Sequence, residues 1–137
     1  MANFIAEGIR FTGTQAIVKK MNEIKNTKDI AGYDGYILGS PTFSLDIPKP
    51  VKLFLAVLKT AHLEEELSGA FGPYLHDESY RHDEHAPALI IAILQTEHKM
   101  KPFDLGALAL REDIIETRDG MKACQDYGRI FGQRLSV

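Results

Sequence analysis

At 137 residues, 45% of them apolar, the chain has the length and composition of one compact domain, residues 1–137, around a single core. Its formal net charge of −3, with acids and bases interspersed, excludes the broad positive field that neutralises nucleic-acid phosphates, so no nucleic-acid partner is expected. Cys124 is alone, which excludes an intrachain disulfide; no apolar run reaches the roughly 18 residues that span a bilayer, so no membrane partner is expected, and no secretory pattern precedes the first helical stretch, so the expected compartment is the cytoplasm.

Helical and strand patterns alternate along the chain, the signature of a parallel sheet with crossover helices and hence of an α/β sandwich. Phe4, Ile5 and Ile9 give the opening segment an apolar helical face, and Gly13 is its stop. Residues 15–21 read as a short strand and 26–32 as a turn or brief helix. Tyr33 to Gly39 reads as a buried central strand, covered on both faces and so free of polar alternation. It ends at Ser40-Pro41-Thr42. Beyond Pro48 and Pro50, Val51, Phe54, Leu55 and Leu58 share one helical face. Residues 67–71 form the next strand, small at Ser68, Gly69 and Ala70, where a neighbouring backbone or a ligand can come close. A polar loop, 72–85, follows. Pro87 suits the first turn of a helix carrying Leu89, Ile90, Ile93 and Leu94, residues 103–110 read as the last strand, and Thr117 caps a final helix with a stripe of Met121, Cys124, Gly128, Phe131 and Leu135.

The block YDGYILGSPTFSLDIPKPVKLFLAVLK resembles the third strand, flavin loop and third helix of flavodoxin-like domains, most of all the flavodoxin domain of A-type (diiron) flavoproteins. MANFIAEGI resembles that family's first helix, GAFGPY its fourth strand and second flavin loop, and TRDGMKACQDYGRIFGQRL its terminal helix. GSPTF followed at the right distance by GAFGPY is the most specific part. The resemblance implies a flavodoxin-like three-layer sandwich with a parallel sheet, here truncated at its N-terminal side to about four strands. It also implies an FMN site at the carboxyl ends of the strands, where loops part at a reversal of strand order. Ser40, Pro41, Thr42, Phe43 and Ser44 would line one side of the flavin ring, and Gly72, Pro73, Tyr74 and His76 the other, with Phe43 and Tyr74 as stacking surfaces.

The chain departs from the family in two places. It opens on a helix, with neither the first strand nor the hydroxyl- and glycine-rich loop that grips the FMN phosphate at a helix N-terminus. The second flavin loop reads Gly72-Pro73-Tyr74-Leu75-His76, where the family commonly has Gly-Ser-Tyr-Gly-Trp; Pro73 removes a backbone donor and Leu75 the freedom of a glycine. Thr12-Gly13-Thr14-Gln15 looks like a piece of the missing loop but follows the helix instead of preceding it, and reads as a helix stop and turn. Two functions follow. One is an electron-transfer domain, a redox carrier without catalytic residues of its own, with an FMN-type crevice and a redox protein as partner. The alternative is a cofactor-free flavodoxin fold acting as a binding or assembly module. Loss of a central strand obliges residues 15–21 to pair directly with 33–39, or leaves a gap for another chain, so a homo-oligomer is expected. A chain that begins upstream, with the strand and loop encoded there, accounts for the same departure.

Residues 76–85 hold three histidines and four carboxylates, donors that suit zinc or another first-row metal, with His76, His82 and His85 as the ligand candidates. The spacing matches no defined metal motif, and a solvated polar loop accounts for it as well. Cys124 lies on the apolar stripe and reads as core; His62 and His98, each near a helix C-terminus, read as surface residues, and Glu64 to Glu66 as a solvated connection. No Ser-His-Asp, paired-carboxylate or glycine-rich nucleotide motif stands out.

Overall fold

The computed structural model describes residues 1–40, 47–74 and 86–135. In chain order they form α1 (Ala2–Arg10), β1 (Gly35–Gly39), α2 (Lys49–Leu58), β2 (Leu67–Tyr74), α3 (Ala86–Thr96), β3 (Lys101–Arg111) and α4 (Arg118–Leu135), with short 3-10 turns at Met21–Glu23, Thr27–Asp29 and Lys59–Ala61. The strands make one parallel sheet in the order β1-β2-β3, flanked by helices. The local chemistry accounts for most boundaries. Gly13 takes a left-handed φ of 83° just past α1, so the Thr12 to Gln15 tetrapeptide is a helix stop. Pro50 and Pro87 fall in first turns, where a missing N–H costs no intrahelical bond. The Thr117 hydroxyl accepts the Gly120 N–H at 3.1 Å and caps α4.

β2 runs three residues further than the sequence pattern suggests, through Pro73. The β1–β2 pairing ends at Gly39 with Phe71, so Pro73 lies at the end of the ladder, where a proline is tolerated. Two cores lie on opposite faces of the sheet. Leu38, Leu55, Leu58, Ile90 and Leu94 pack beneath α2 and α3, and Ile5, Phe103, Cys124, Tyr127 and Phe131 beneath α1 and α4. α1 and α4 approach through glycines: a β-carbon on Gly128 would collide with the Ile5 carbonyl, and one on Gly8 with that of Gln125. Gly128 lies against Ile5 and Ile9, and Gly132, one turn on, against Ile9 and Thr12, so the two helices run parallel. Phe131 and Leu135, near the end of α4, cover Gly35 at the start of β1. The amino ends of both helices therefore stand at the carboxyl end of the sheet.

Two expectations are corrected. Residues 15–21 are not a strand, and the sheet has three strands among the described residues instead of about four. Lys20 is extended, with φ −81° and ψ 144°, but a strand exists only through a ladder partner, and this segment faces β1 across a cavity. Ile17 and Val18 are consequently half exposed. His98 is not a surface residue: it is 6% exposed, and its Nε2–H donates to the Leu55 carbonyl at 2.7 Å, tying the end of α3 to α2. His62 does lie at the surface, and Cys124 is fully buried, its thiol pushed up by desolvation, which suits packing and not nucleophilic attack.

Candidate functional site

The carboxyl ends of β1 and β2 meet closely. Ser40, 3% exposed, donates its N–H to the Phe71 carbonyl at 3.0 Å, and Gly72 lies so near the Ser40 carbonyl that any β-carbon there would overlap it. Gly39 is covered by the Phe71 ring in the same way. Glycine at Gly72 is thus a requirement of close backbone approach, and at Gly39 it makes room for the Phe71 ring. Tyr74 is buried at the end of β2, and its carbonyl accepts the Glu112 N–H at 2.9 Å. Of the residues expected to line a flavin, Ser40, Gly72, Pro73 and Tyr74 therefore stand together at this end of the sheet. Pro41, Thr42, Phe43, Ser44 and His76 lie outside the described residues, as do the metal candidates His82 and His85. Among the described residues no group of three or more His, Cys, Asp or Glu side chains could hold a metal ion. At the same end, the first turn of α1 has no side-chain cap.

A cavity of about 710 Å³ opens alongside β1. One wall is the outer edge of β1 and the other is segment 15–20, which lies outside any sheet. Ile5, Ile9 and Phe131 close it on the α1/α4 side, Leu58, Leu63 and Met100 on the α2/α3 side, and it runs up to Ser40 and Pro73. Both cores thus border one space.

Sequence reasoning missed Tyr127. Opposite β2, β3 bulges: Ser68 pairs with Pro102 but Ala70 with Ala107, and Gly106 takes φ 72°. The Tyr127 hydroxyl stands in for the interrupted ladder, donating to the Gly106 carbonyl at 2.7 Å and accepting the Ala70 N–H at 3.3 Å. Burial pushes this phenol well above the ordinary tyrosine value. The signal was present in the small run Ser68-Gly69-Ala70, which admits a close neighbour; that neighbour is this hydroxyl.

A sheet of parallel strands with helices on both faces and two strand ends pressed together at one edge of a crevice is a recurrent arrangement, and known structures share it. A flavodoxin from the domain Archaea superposes with a TM-score of 0.81 at 20% identity, over 98% of this chain and 87% of that one. The fold is flavodoxin-like. The flavodiiron protein from Giardia intestinalis gives a TM-score of 0.81 at 17% identity, over 98% of this chain and 32% of that one. In sequence, 98% of the chain is 27% identical to a Nostoc sp. strain PCC 7120 protein carrying the name diflavin flavoprotein A 4. The chain spans 22% of that protein's length. No protein-family model matches the sequence. Among the described residues the sheet is a reduced, three-stranded one, and no helix is long and apolar enough to cross a membrane.

An FMN group can be tested against the described residues. At the ring end the described residues are Ser40, Gly72, Pro73 and Tyr74, brought together at adjacent strand ends with Ser40 and Tyr74 buried. At the amino end of α1 the described residues offer the backbone N–H groups of Ala2, Asn3 and Phe4, which no side chain caps.

Proposed function

We propose that the chain is an electron-transfer module of the flavodoxin kind, related to the flavodoxin domains of diiron flavoproteins, that holds FMN at the carboxyl ends of β1 and β2 and exchanges electrons with a redox protein. The observation that carries this reading is the contact of Ser40 with Gly72, a glycine that no other residue could replace without moving the Ser40 backbone. Ser40 and Gly72 would present backbone to the polar edge of the ring, with Pro41, Thr42, Phe43 and Ser44 on one side and Pro73, Tyr74 and His76 on the other. The α1 amino end would meet the phosphate. FMN, when bound, supplies the redox chemistry; the protein positions it and keeps water from one face.

Titration of FMN into the purified protein, read by quenching of flavin fluorescence, tests this with riboflavin as the phosphate-free control. Micromolar binding, tighter for FMN than for riboflavin, is the expected result. Binding of neither overturns it.

The cavity beside β1 favours a second reading, a cofactor-free fold that serves as a binding or assembly module, with a homo-oligomer as its simplest form. Sedimentation over a range of concentrations checks that form, and a single monomeric species throughout would remove it. A metal at His76, His82 and His85 is a separate proposal: a zinc titration that detects no binding tighter than about millimolar rejects it.

A further inference from the structure

We infer that the outer face of α2 is a docking surface for an acidic protein, whose carboxylates would meet Lys49, Lys52 and Lys59 around an apolar centre of Leu53 and Val57. That this partner is a redox protein rests on the electron-transfer reading; the surface and the sign of its charge do not.

Val51, Leu55 and Leu58 account for the buried side of α2. On its other side Leu53 is 61% and Val57 48% exposed, and four residues apart they are neighbours on the helix surface. Pro50 and Ala56, beside them, are exposed as well. Single exposed aliphatic residues are ordinary, but here the charges around them have one sign. Between Ile47 and Leu63 the chain has three lysines and no carboxylate, in a protein whose 19 acidic residues outnumber its 16 basic ones. Lys49, Lys52 and Lys59 are all exposed, and the turn Thr27–Asp29, which lies against Lys59–Ala61, adds Lys28. The carboxylate of that turn, Asp29, already accepts the N–H groups of Lys25 and Asn26.

The helix itself does not ask for these lysines. Lys49 and Lys52 stand in the first turn of α2, where the macrodipole favours carboxylates, and that turn holds no acidic residue and no side-chain cap. They oppose the dipole, whereas an approaching carboxylate surface is served by both. The place suits a partner of the candidate site. β1 and β2 are parallel, so the connecting α2 sets out from the carboxyl end of the sheet, where Ser40 meets Gly72, and its first turn carries Lys49, Lys52 and Leu53 there. Charge selects the occupant. A nucleic acid would be repelled by the net charge of −3, and a bilayer would gain little from two aliphatic side chains. A protein with a few carboxylates around a small apolar patch matches both the sign and the size, and its complex depends on salt.

The test titrates the isotope-labelled, flavin-free protein with oxidised plant-type ferredoxin as the acidic probe and with cytochrome c as the basic one, followed by amide chemical shifts. Ferredoxin should bind with a Kd in the micromolar range at low salt, at least tenfold more weakly at high salt, with shifts at Lys49, Lys52, Leu53 and Val57, and cytochrome c should not bind. Lys49→Glu and Leu53→Ser should each weaken the ferredoxin complex severalfold. A carboxylate suits the amino end of a helix, so Lys49→Glu should leave the melting temperature unchanged or raise it, which separates loss of docking from loss of fold. Absence of ferredoxin binding, shifts confined to another face, or equal binding by the Lys49→Glu protein overturns the surface. Preference for cytochrome c overturns the acidic partner. Tighter binding to phosphatidylserine vesicles than to ferredoxin, lost in Lys49→Glu, overturns it in favour of a lipid surface. Because no flavin is present, a failed FMN titration leaves the docking result intact, and a failed ferredoxin titration leaves the FMN reading intact.

Discussion

The two sides of β2 differ in how the chain deals with an interrupted strand neighbour. Towards β3 the ladder breaks at a bulge, and the Tyr127 hydroxyl fills the break by bonding both Ala70 and Gly106, while Phe103 packs edge to face against the rings of Tyr127 and Phe131. On the other side the sheet of the described residues ends at β1, and beyond it lies a cavity with segment 15–20, outside any sheet, on its far side. Both regions are lined by the same kinds of apolar residue. The difference is that a single side chain can satisfy two backbone groups at a bulge, whereas a whole strand edge needs another strand.

If the helix seam behind the closed side is as tight as its glycines indicate, Gly128→Val has the largest effect. Its branched side chain would drive α4 off the Ile5 backbone, where nothing flexible can yield. A loss of about 3 kcal/mol or more is expected in urea unfolding. A loss under about 1 kcal/mol would mean that the α1–α4 seam opens freely and that the closed side is not closed.

Tyr127→Phe probes the bulge with a smaller change. The ring stays and the hydroxyl goes, leaving the Gly106 carbonyl and the Ala70 N–H buried without this partner, at a cost of about 1–3 kcal/mol. The wild-type phenol carries a pH signature as well. Its folded pKa is raised above the ordinary value of 10.0, so its contribution is complete below pH 10 and is lost as the pH climbs towards the folded value. Cys124, also raised by burial, loses stability in the same direction. The measurement is therefore the difference between wild type and variant: the gap in unfolding free energy should shrink above pH 10, by up to about 1.4 kcal/mol per pH unit. A gap constant from pH 8 to 11 would show that the hydroxyl is already solvated in the native state.

What was legible in the sequence follows the same division. Helices and strands whose signal is local came through: the spacing of Val51, Leu55 and Leu58, the proline at position 87 and the cap at Thr117 each act within a turn or two. Residues that depend on a distant backbone did not. His98 looks like a surface residue until Leu55, 43 positions away, presents a carbonyl to it, and Tyr127 has no visible role until the bulge at Gly106 exists. Ala16, Ile17 and Val18 have the composition of a strand, but among the described residues no strand pairs with them, and composition alone does not make one. At the candidate site, the neighbouring positions of Ser40 and Gly72 were legible only through the family resemblance, since nothing in the spacing between them fixes the pairing of β1 with β2.

The smallest expected effect tests the open side. Ile17 is 50% exposed on the wall of the cavity, so in the isolated protein Ile17→Ser removes an apolar group that is only partly buried and should change unfolding free energy by no more than about 0.5 kcal/mol. The same substitution on a residue packed against a strand would cost several times more, because burial and cross-strand contact would both be lost. A cost above about 1.5 kcal/mol in the isolated chain would mean that residues 15–20 are already packed and that the two sides of β2 are alike.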